Sequence, residues 1–326
     1  MKIAVNGFGR IGRIFFRQAF KVKDLEIVAI NDLGDKENLW YLLQNDSVYG
    51  KPEISKAEFD EINFFQKKDP ASLPWGDLGV DVVLESTGFF TTSEKAKAHL
   101  DAGAKRVVIS APAKDEETPT ATPNVGIEML AKSKITSNAS CTTNAVSPIV
   151  AVMMKNLGIK KAVLTTVHGY TSTQGLVDKP SEKDYRKGRA AAINIIPSTT
   201  GAAIATAKAI PAMQGKFDGM AVRVPVASGS LIDFTFISEK PTSVEEVNNA
   251  FREAAQKEEW QGILKVSEDD FFVSSDILGQ PYGSIVDLNL TKVVDGDLVK
   301  VFSWYDNEWG YGAMLIKHIE SLKMLL

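Results

Sequence analysis

The chain has 326 residues, room for about two domains and a sizeable core in each. Its formal net charge is −4, which gives no basic footprint for nucleic acid or an anionic membrane, and no apolar run approaches the ~20 residues that span a bilayer. A single cysteine cannot close an intrachain disulfide, and Met1 runs straight into Lys2-Ile3-Ala4-Val5 without a signal-peptide pattern, so the expectation is a cytoplasmic protein with no membrane and no nucleic-acid partner.

Residues 3–5 read as a short buried strand. Asn6-Gly7-Phe8-Gly9-Arg10-Ile11-Gly12-Arg13 follows, and Ile14, Phe15, Phe16 and Ala19 begin an amphipathic helix. Residues 25–30 form a second strand that ends at Asn31-Asp32. A G-x-G-x-x-G motif between a strand and a helix, with an acid about 20 residues beyond it at a strand end, is the dinucleotide-binding fingerprint. In that reading Gly7 permits the tight turn and Gly9 lets the backbone approach a pyrophosphate on the helix N-terminus. Gly12 allows close helix–strand packing, and Asp32 accepts hydrogen bonds from the adenosine ribose.

Residues 37–70 are mixed and polar. Further strands are expected at 80–85, before Ser86-Thr87-Gly88, and at 106–109, before Ser110-Ala111-Pro112, with a helix over 93–102 between them. Alternating strands and helices imply a parallel sheet covered on both faces, with ligands at the carboxyl ends of its strands. Gly88 and Ser110 are therefore candidates for a cofactor crevice or simply strand–helix turns.

The lone cysteine stands in Ser137-Asn138-Ala139-Ser140-Cys141-Thr142-Thr143-Asn144. The apolar run after it, closed by Gly158, reads as a helix, with Pro148 either starting it or kinking it. Cys141 is then at a helix start, where free N–H groups and the dipole ease loss of the thiol proton. A buried inert thiol is the other reading, and the polar neighbours argue against it. A strand over 161–167 leads to His168, and a Cys at a helix start with a His at a strand end makes a candidate nucleophile–base pair. The other two histidines, His99 and His318, read as surface or packing residues.

Residues 172–188 form a long polar loop, of the kind that tends to be functional. Pro197-Ser198-Thr199-Thr200-Gly201 opens an Ala-rich helix; its hydroxyls and N–H groups either hold an oxyanion or cap the helix. Arg223 sits in an otherwise apolar strand and needs an anionic partner, from the protein or from a substrate. Strands are expected at 231–236 and 298–302, a helix over Val244–Gln256 capped by Ser243 and Glu246, an aromatic and polar hinge at 304–311, and a closing helix over 313–325.

Together these motifs resemble the phosphorylating glyceraldehyde-3-phosphate dehydrogenase family from end to end. They run from N-G-F-G-R-I-G-R through S-N-A-S-C-T-T-N, T-T-V-H-x-Y-T at 165–171, P-S-T-T-G and R-V-P to W-Y-D-N-E-W-G-Y. The resemblance implies an α/β protein: a Rossmann-type NAD-binding domain over 1–140, completed by a C-terminal helix over 308–326, and an α+β catalytic domain with a mostly antiparallel sheet over 141–307. It casts Cys141 as the catalytic thiol and His168 as general base, with Thr171 and Arg223 holding the substrate's C3 phosphate. Ser140, Thr142, Thr200 and Gly201 match the inorganic-phosphate site. Arg10, Ile11, Asp32, Ser110 and Asn307 match NAD contacts, Asn307 on the nicotinamide carboxamide.

The implied activity is glycolytic or gluconeogenic oxidation of glyceraldehyde 3-phosphate with inorganic phosphate and NAD, by a homotetramer whose 171–195 loop lies near the neighbouring subunit's cofactor. Erythrose-4-phosphate dehydrogenase is the nearest alternative. Asp32 and Leu33 favour NAD over NADP, Pro180 resembles the proline that NAD-specific members place near the same ribose edge, and Lys179 pulls the other way. Val226-Ala227-Ser228-Gly229-Ser230 departs from the family's usual T-x-N-V-S after R-V-P.

Overall fold

The computed structural model describes residues 1–181 and 184–326; residues 182 and 183 of the long loop lie outside the described residues. The chain divides into two compact units, Met1–Ser140 with Gly312–Leu326, and Cys141–Tyr311.

The first unit holds strands β1 (Lys2–Asn6), β2 (Glu26–Asn31), β3 (Asn63–Phe65), β4 (Val82–Glu85), β5 (Arg106–Ile109) and β6 (Ile135–Ser137). They form one parallel sheet in the order β3-β2-β1-β4-β5-β6, so the chain reverses direction across the sheet beside β1. This is the strand order of the dinucleotide-binding fold, with its ligand crevice at the carboxyl ends where the order reverses. Ile3, Ala4 and Val5 are fully buried, as are Val82, Val83 and Leu84. A strand covered on both faces carries a continuous apolar run rather than an alternation, which is why these short runs are legible. Trp75, Val83, Ala96, Val107 and Ile109 share one core cluster against the sheet.

The second unit holds β7 (Ile159–Gly169), β8 (Ile196–Thr199), β9 (Phe217–Val224), β10 (Ser230–Ser238), β11 (Leu264–Ser267), β12 (Ser284–Val294) and β13 (Leu298–Tyr305). Their order is β11-β12-β13-β10-β7-β9-β8. Only the β11–β12 and β7–β9 pairings are parallel, so the sheet is mixed and mostly antiparallel. Burial alternates residue by residue along β10, with Ile232, Phe234 and Phe236 on the buried face, as a sheet with one covered face requires. The helix Cys141–Asn156 is buried along most of its length and carries Pro148 in its interior.

Two expectations change. Residues 196–199 are the edge strand β8 rather than part of a helix start, and the helix begins at Ala202. An edge position accommodates Pro197, which has no N–H to donate. The closing helix runs Trp309–Glu320 and then a short turn Lys323–Leu325, because the Asp306 carboxylate accepts the N–H groups of Glu308 and Trp309 at 3.0 Å and starts it four residues early. Of the two readings open for His99 and His318, surface or packing, the packing one holds. His99 is fully buried, accepting from the Trp75 indole at 3.1 Å through Nδ1 and facing Glu85 through Nε2 at 3.0 Å. His318 Nε2 lies 3.0 Å from the Thr136 hydroxyl, and burial pulls its pKa down to about 4.

The His318 shift makes a stability prediction. Its folded pKa lies below the unfolded value, so between about pH 6.5 and 4 the unfolded chain binds a proton that the native site refuses. Stability should fall as pH drops through that window, by about 3 kcal/mol from this group. Urea unfolding of the wild type and His318→Gln, at neutral pH and near the lower limit, checks this: the variant should lose less on acidification.

Candidate active site

At the carboxyl ends of β1, β2 and β4 a cavity of about 530 Å³ opens, lined by Gly7, Gly9, Asp32, Leu33, Lys67 and Phe89 among others. The glycines each meet a different demand. Gly7 has φ +93°, and a Cβ there would sit 2.7 Å from the Ser86 carbonyl carbon. A Cβ on Gly12 would strike the Gly7 carbonyl oxygen at 2.1 Å, so the helix Arg10–Ala19 can approach the turn only without one. Nothing stands within 4 Å of a Cβ built on Gly9, and that open space is what a pyrophosphate lying on the backbone needs. No side chain caps this helix, leaving its N-terminal dipole for an anion.

Asp32 already accepts the Phe8 N–H at 2.6 Å through one oxygen and the Gly34 N–H at 2.8 Å through the other. A carboxylate has about four acceptor positions, so ribose hydroxyls still find lone pairs. Arg10 points its guanidinium at Asp46, 2.6 Å away, and Ser110 at the end of β5 donates to the Glu85 carbonyl at 3.0 Å. Ile11, half-buried, lies in the first turn of the same helix. The donor set therefore fits a dinucleotide.

In the second unit the structure brings the two sequence-selected reactive groups together. Cys141 is the first residue of its helix, and its Sγ lies 3.4 Å from His168 Nε2. Ala139, two residues before the thiol, has φ +55°, a left-handed conformation that costs a non-glycine residue about 1–2 kcal/mol. Tyr305 ties the pair's two supports together. Its hydroxyl lies 2.9 Å from Thr142 Oγ1 and 2.7 Å from Thr166 Oγ1, and its ring meets His168 edge-on.

The N–H groups of the helix start do pull the thiol pKa down, as expected, but a larger opposing influence acts on it. Burial is the largest influence and pushes Cys141 up, against the pull of Arg223 and of hydrogen bonds from Thr142. Burial and the neighbouring Arg223 cation pull His168 down to about 3, so the imidazole is neutral near pH 7.

Arg223 reaches this site through strand register. It is the partner of His168 in the parallel β7–β9 pair, so both side chains stand on one face. Its Nη1 lies 2.5 Å from His168 Nδ1 and donates to the Gly169 carbonyl at 3.0 Å. Thr171 shares a hydrogen bond with Thr173, and Thr200 accepts the Ala202 N–H at 3.2 Å just before Gly201, the N-cap residue of the next helix. Ser140 immediately precedes the thiol.

Asn307 is 4% exposed, and its Oδ1 accepts from the Ser230 hydroxyl at 2.8 Å, the Gly229 N–H at 3.1 Å and the Ser228 hydroxyl at 3.3 Å. The segment that departs from the family pattern is thus what fixes this carboxamide.

The comparisons with known proteins agree in every part of the chain they cover. Residues 1–93 match the family described as glyceraldehyde 3-phosphate dehydrogenase, NAD binding domain, and residues 140–307 match its C-terminal domain. The chain is 48% identical over 331 residues to a glyceraldehyde-3-phosphate dehydrogenase of Mycolicibacterium smegmatis, covering 97% of this chain and 96% of the other. It is 47% identical over 327 residues to one of Streptomyces coelicolor and 46% identical over 324 residues to glyceraldehyde-3-phosphate dehydrogenase B of Aspergillus oryzae, at the same coverage. The chain belongs to the glyceraldehyde-3-phosphate dehydrogenase family.

Several groups of this glyceraldehyde-3-phosphate dehydrogenase fold escape motif reading. Lys67 and Lys68 line the cofactor cavity but lie in the stretch read only as polar. Asn6, also in the lining, donates to Glu85 at 2.6 Å and accepts from Asn31 at 2.7 Å. Its position as the last residue before Gly7 was the available signal. Tyr305 and Thr166 stand inside the quoted motifs, but the hydrogen bond between them carried no signal, because it spans strands far apart in sequence.

Replacing Asp32 with Ala should weaken NAD about tenfold, or about 1.4 kcal/mol, and weaken NADP less. Titration of both cofactors into wild type and variant measures this. If the wild type binds both equally, Lys67 and Lys68 rather than Asp32 govern the pocket.

Proposed function

We infer that this protein is an NAD-dependent phosphorylating aldehyde dehydrogenase that converts glyceraldehyde 3-phosphate and inorganic phosphate to 1,3-bisphosphoglycerate. The observation that carries the reading is Cys141 Sγ at 3.4 Å from His168 Nε2, with Arg223 beside the imidazole, in a chain of this family.

In this reading Cys141 attacks the aldehyde carbon, a C–S bond forms, and the carbonyl oxygen becomes the hydroxyl of a thiohemiacetal. His168 takes the hydroxyl proton as hydride leaves the same carbon. NAD would be held by Gly7, Gly9, Arg10, Ile11, Gly12, Asp32, Ser110 and Asn307 and would supply the acceptor for that hydride. The thioester left on Cys141 is opened by a phosphate oxygen; the C–S bond breaks and the sulfur leaves as thiolate. Arg223 and Thr171 are assigned to the substrate phosphate. Ser140, Thr142, Thr200 and Gly201 are assigned to the attacking phosphate, for which they offer hydroxyls and N–H groups.

Assembly as a homotetramer is supported by the apolar side chains exposed along the 171–195 loop: Leu176, Val177, Tyr185, Ile193 and Ile195 are each at least 71% exposed. Among the described residues no helix is long and apolar enough to cross a membrane. A cytoplasmic location fits the single cysteine.

The deciding assay is phosphate-dependent NAD reduction with glyceraldehyde 3-phosphate and erythrose 4-phosphate side by side; preference for the four-carbon sugar would reverse the substrate assignment. Cys141→Ser should abolish turnover while leaving NAD titration intact, and measurable oxidation by that variant would sink the covalent route. Arg223→Ala should lose about 2–5 kcal/mol in kcat/KM on the phosphorylated aldehyde. Sedimentation at micromolar protein should give four subunits, and a stable monomer would refute the assembly.

A further inference from the structure

Glu85, the last residue of β4, has a fully buried side chain, and two chains of hydrogen bonds end on its carboxyl group. The first chain starts at backbone. The Lys67 N–H donates to Asn31 Oδ1 at 2.8 Å and the Lys67 carbonyl accepts from Asn31 Nδ2 at 2.9 Å, so the Asn31 amide can point only one way. Its Nδ2 also donates to Asn6 Oδ1 at 2.7 Å, which leaves Asn6 Nδ2 to donate to Glu85 Oε2 at 2.6 Å. The second chain starts at the Trp75 indole, which only donates. It gives its hydrogen to His99 Nδ1 at 3.1 Å, so the hydrogen of that ring is on Nε2, 3.0 Å from the same Glu85 oxygen. Asn6 Nδ2 and His99 Nε2 stand 3.4 Å apart, two donors side by side on one acceptor. The other carboxyl oxygen, Oε1, accepts the Thr87 N–H at 2.9 Å and bonds the Thr87 hydroxyl, which in turn accepts the Phe89 N–H at 3.1 Å.

These bonds hold the wall of the cofactor cavity. Asn6, Asn31, Lys67, Thr87, Phe89 and Phe90 all line it. The turn 86–90 carries Gly88 at φ +76°, and its Phe89 ring is 77% exposed, so little packing holds that ring. Phe90 meets His99 edge-on, another point at which the turn rests on the network. We propose that Glu85 is a positioning residue for the cofactor: backed by His99 and Trp75, it fixes Asn6 and the 86–90 turn before the dinucleotide arrives, and so adds to its affinity without touching it. This rests on the cavity at the carboxyl ends of β1, β2 and β4 being the dinucleotide site. A turn ordered in advance has no freedom left to lose on binding, so that cost is removed from the association. An amide cannot replace the carboxyl group. An NH2 in the place of Oε2 would face two fixed donors, Asn6 Nδ2 and His99 Nε2. In the place of Oε1 it faces one, the Thr87 N–H, because the hydroxyl can turn. Glu85→Gln therefore sets its NH2 against Thr87 and loosens the turn, while Asn6 and His99 keep their acceptor.

The test compares wild type with Glu85→Gln and Thr87→Val. In cofactor-free protein, amide exchange at Thr87 and Phe89 should be about tenfold faster in Glu85→Gln. Its Kd for NAD by calorimetry should rise about tenfold, the effect of one buried donor left unpaired. The Kd for ADP-ribose, which lacks the nicotinamide, should rise by the same factor. At saturating NAD, kcat should stay within about twofold of wild type, so that the loss falls on KM. Thr87→Val removes the hydroxyl between Glu85 and the Phe89 N–H, and it decides the matter if Glu85→Gln fails to fold. It should raise both Kd values about threefold. In the Thr87→Val background Glu85→Gln should weaken NAD less than it does in wild type, because both act through one turn. A merely structural Glu85 predicts a lower melting temperature with both Kd values unchanged. That result, strictly additive losses, or wild-type affinity in Thr87→Val overturns the positioning role. The cavity keeps its assignment if Asp32→Ala still weakens NAD; if Asp32→Ala also binds NAD as wild type does, both fall.

Discussion

A buried polar group without a partner costs more than a well-made hydrogen bond contributes, and that asymmetry organises the catalytic unit. His168 and Tyr305 are almost wholly removed from water, as are Thr142, Thr166, Ser228, Ser230 and Asn307. Each is satisfied by another of the set or by nearby backbone. Tyr305 bridges two threonines, two serines and a glycine N–H converge on Asn307, and His168 is boxed between Gly169, Arg223 and the thiol. Once every member leans on another, rotamers have little freedom, and the nucleophile and base are held at fixed separation without a metal or disulfide among the described residues.

The first unit solves a related problem at the floor of its cavity. Glu85 is 1% exposed, and its carboxylate is met by Asn6, by His99 and by the N–H of Thr87 at 2.9 Å. Asn6 and Thr87 also line the cavity. The surface a dinucleotide would touch is therefore the outer layer of a buried network that runs through His99 to the Trp75 indole.

Much of this was legible before any coordinates. Gly7, Gly9 and Gly12 could be read because each spacing answers a steric demand, and the clashes met by a Cβ at Gly7 and Gly12 are that demand in ångströms. The parallel strands were legible because two-sided burial writes continuous apolar runs. What failed were contacts between distant segments. His99 looked like a residue of a charged helix, because nothing in its own neighbourhood announces Glu85 or Trp75. Residues 196–199 looked like a helix approach because edge pairing with β9 is not a local property. At the thiol the helix start is a local property and legible, while the burial that opposes it is tertiary and leaves no local signal. For the site, Cys141 and His168 stood out by scarcity and flanking turns, whereas their meeting depends on a sheet whose neighbours are out of sequence order.

The His168–Arg223 pairing also governs which changes of chain length the protein can absorb. Side chains alternate faces along a strand, so sliding β9 by one residue against β7 would set Val222 or Val224 beside the imidazole and turn Arg223 to the opposite face. Insertions and deletions are accordingly partitioned. The exposed turn at Gln214 and Gly215 can change length if its ends stay fixed, since the backbone bonds to β7 begin only at Lys216, whose carbonyl accepts the Ala162 N–H at 2.8 Å. A single-residue indel inside Phe217–Val224 ahead of Arg223 would leave Cys141 and His168 in the chain and take Arg223 out of register with the imidazole. Along this strand a substitution can leave the register intact, whereas any change of length breaks it.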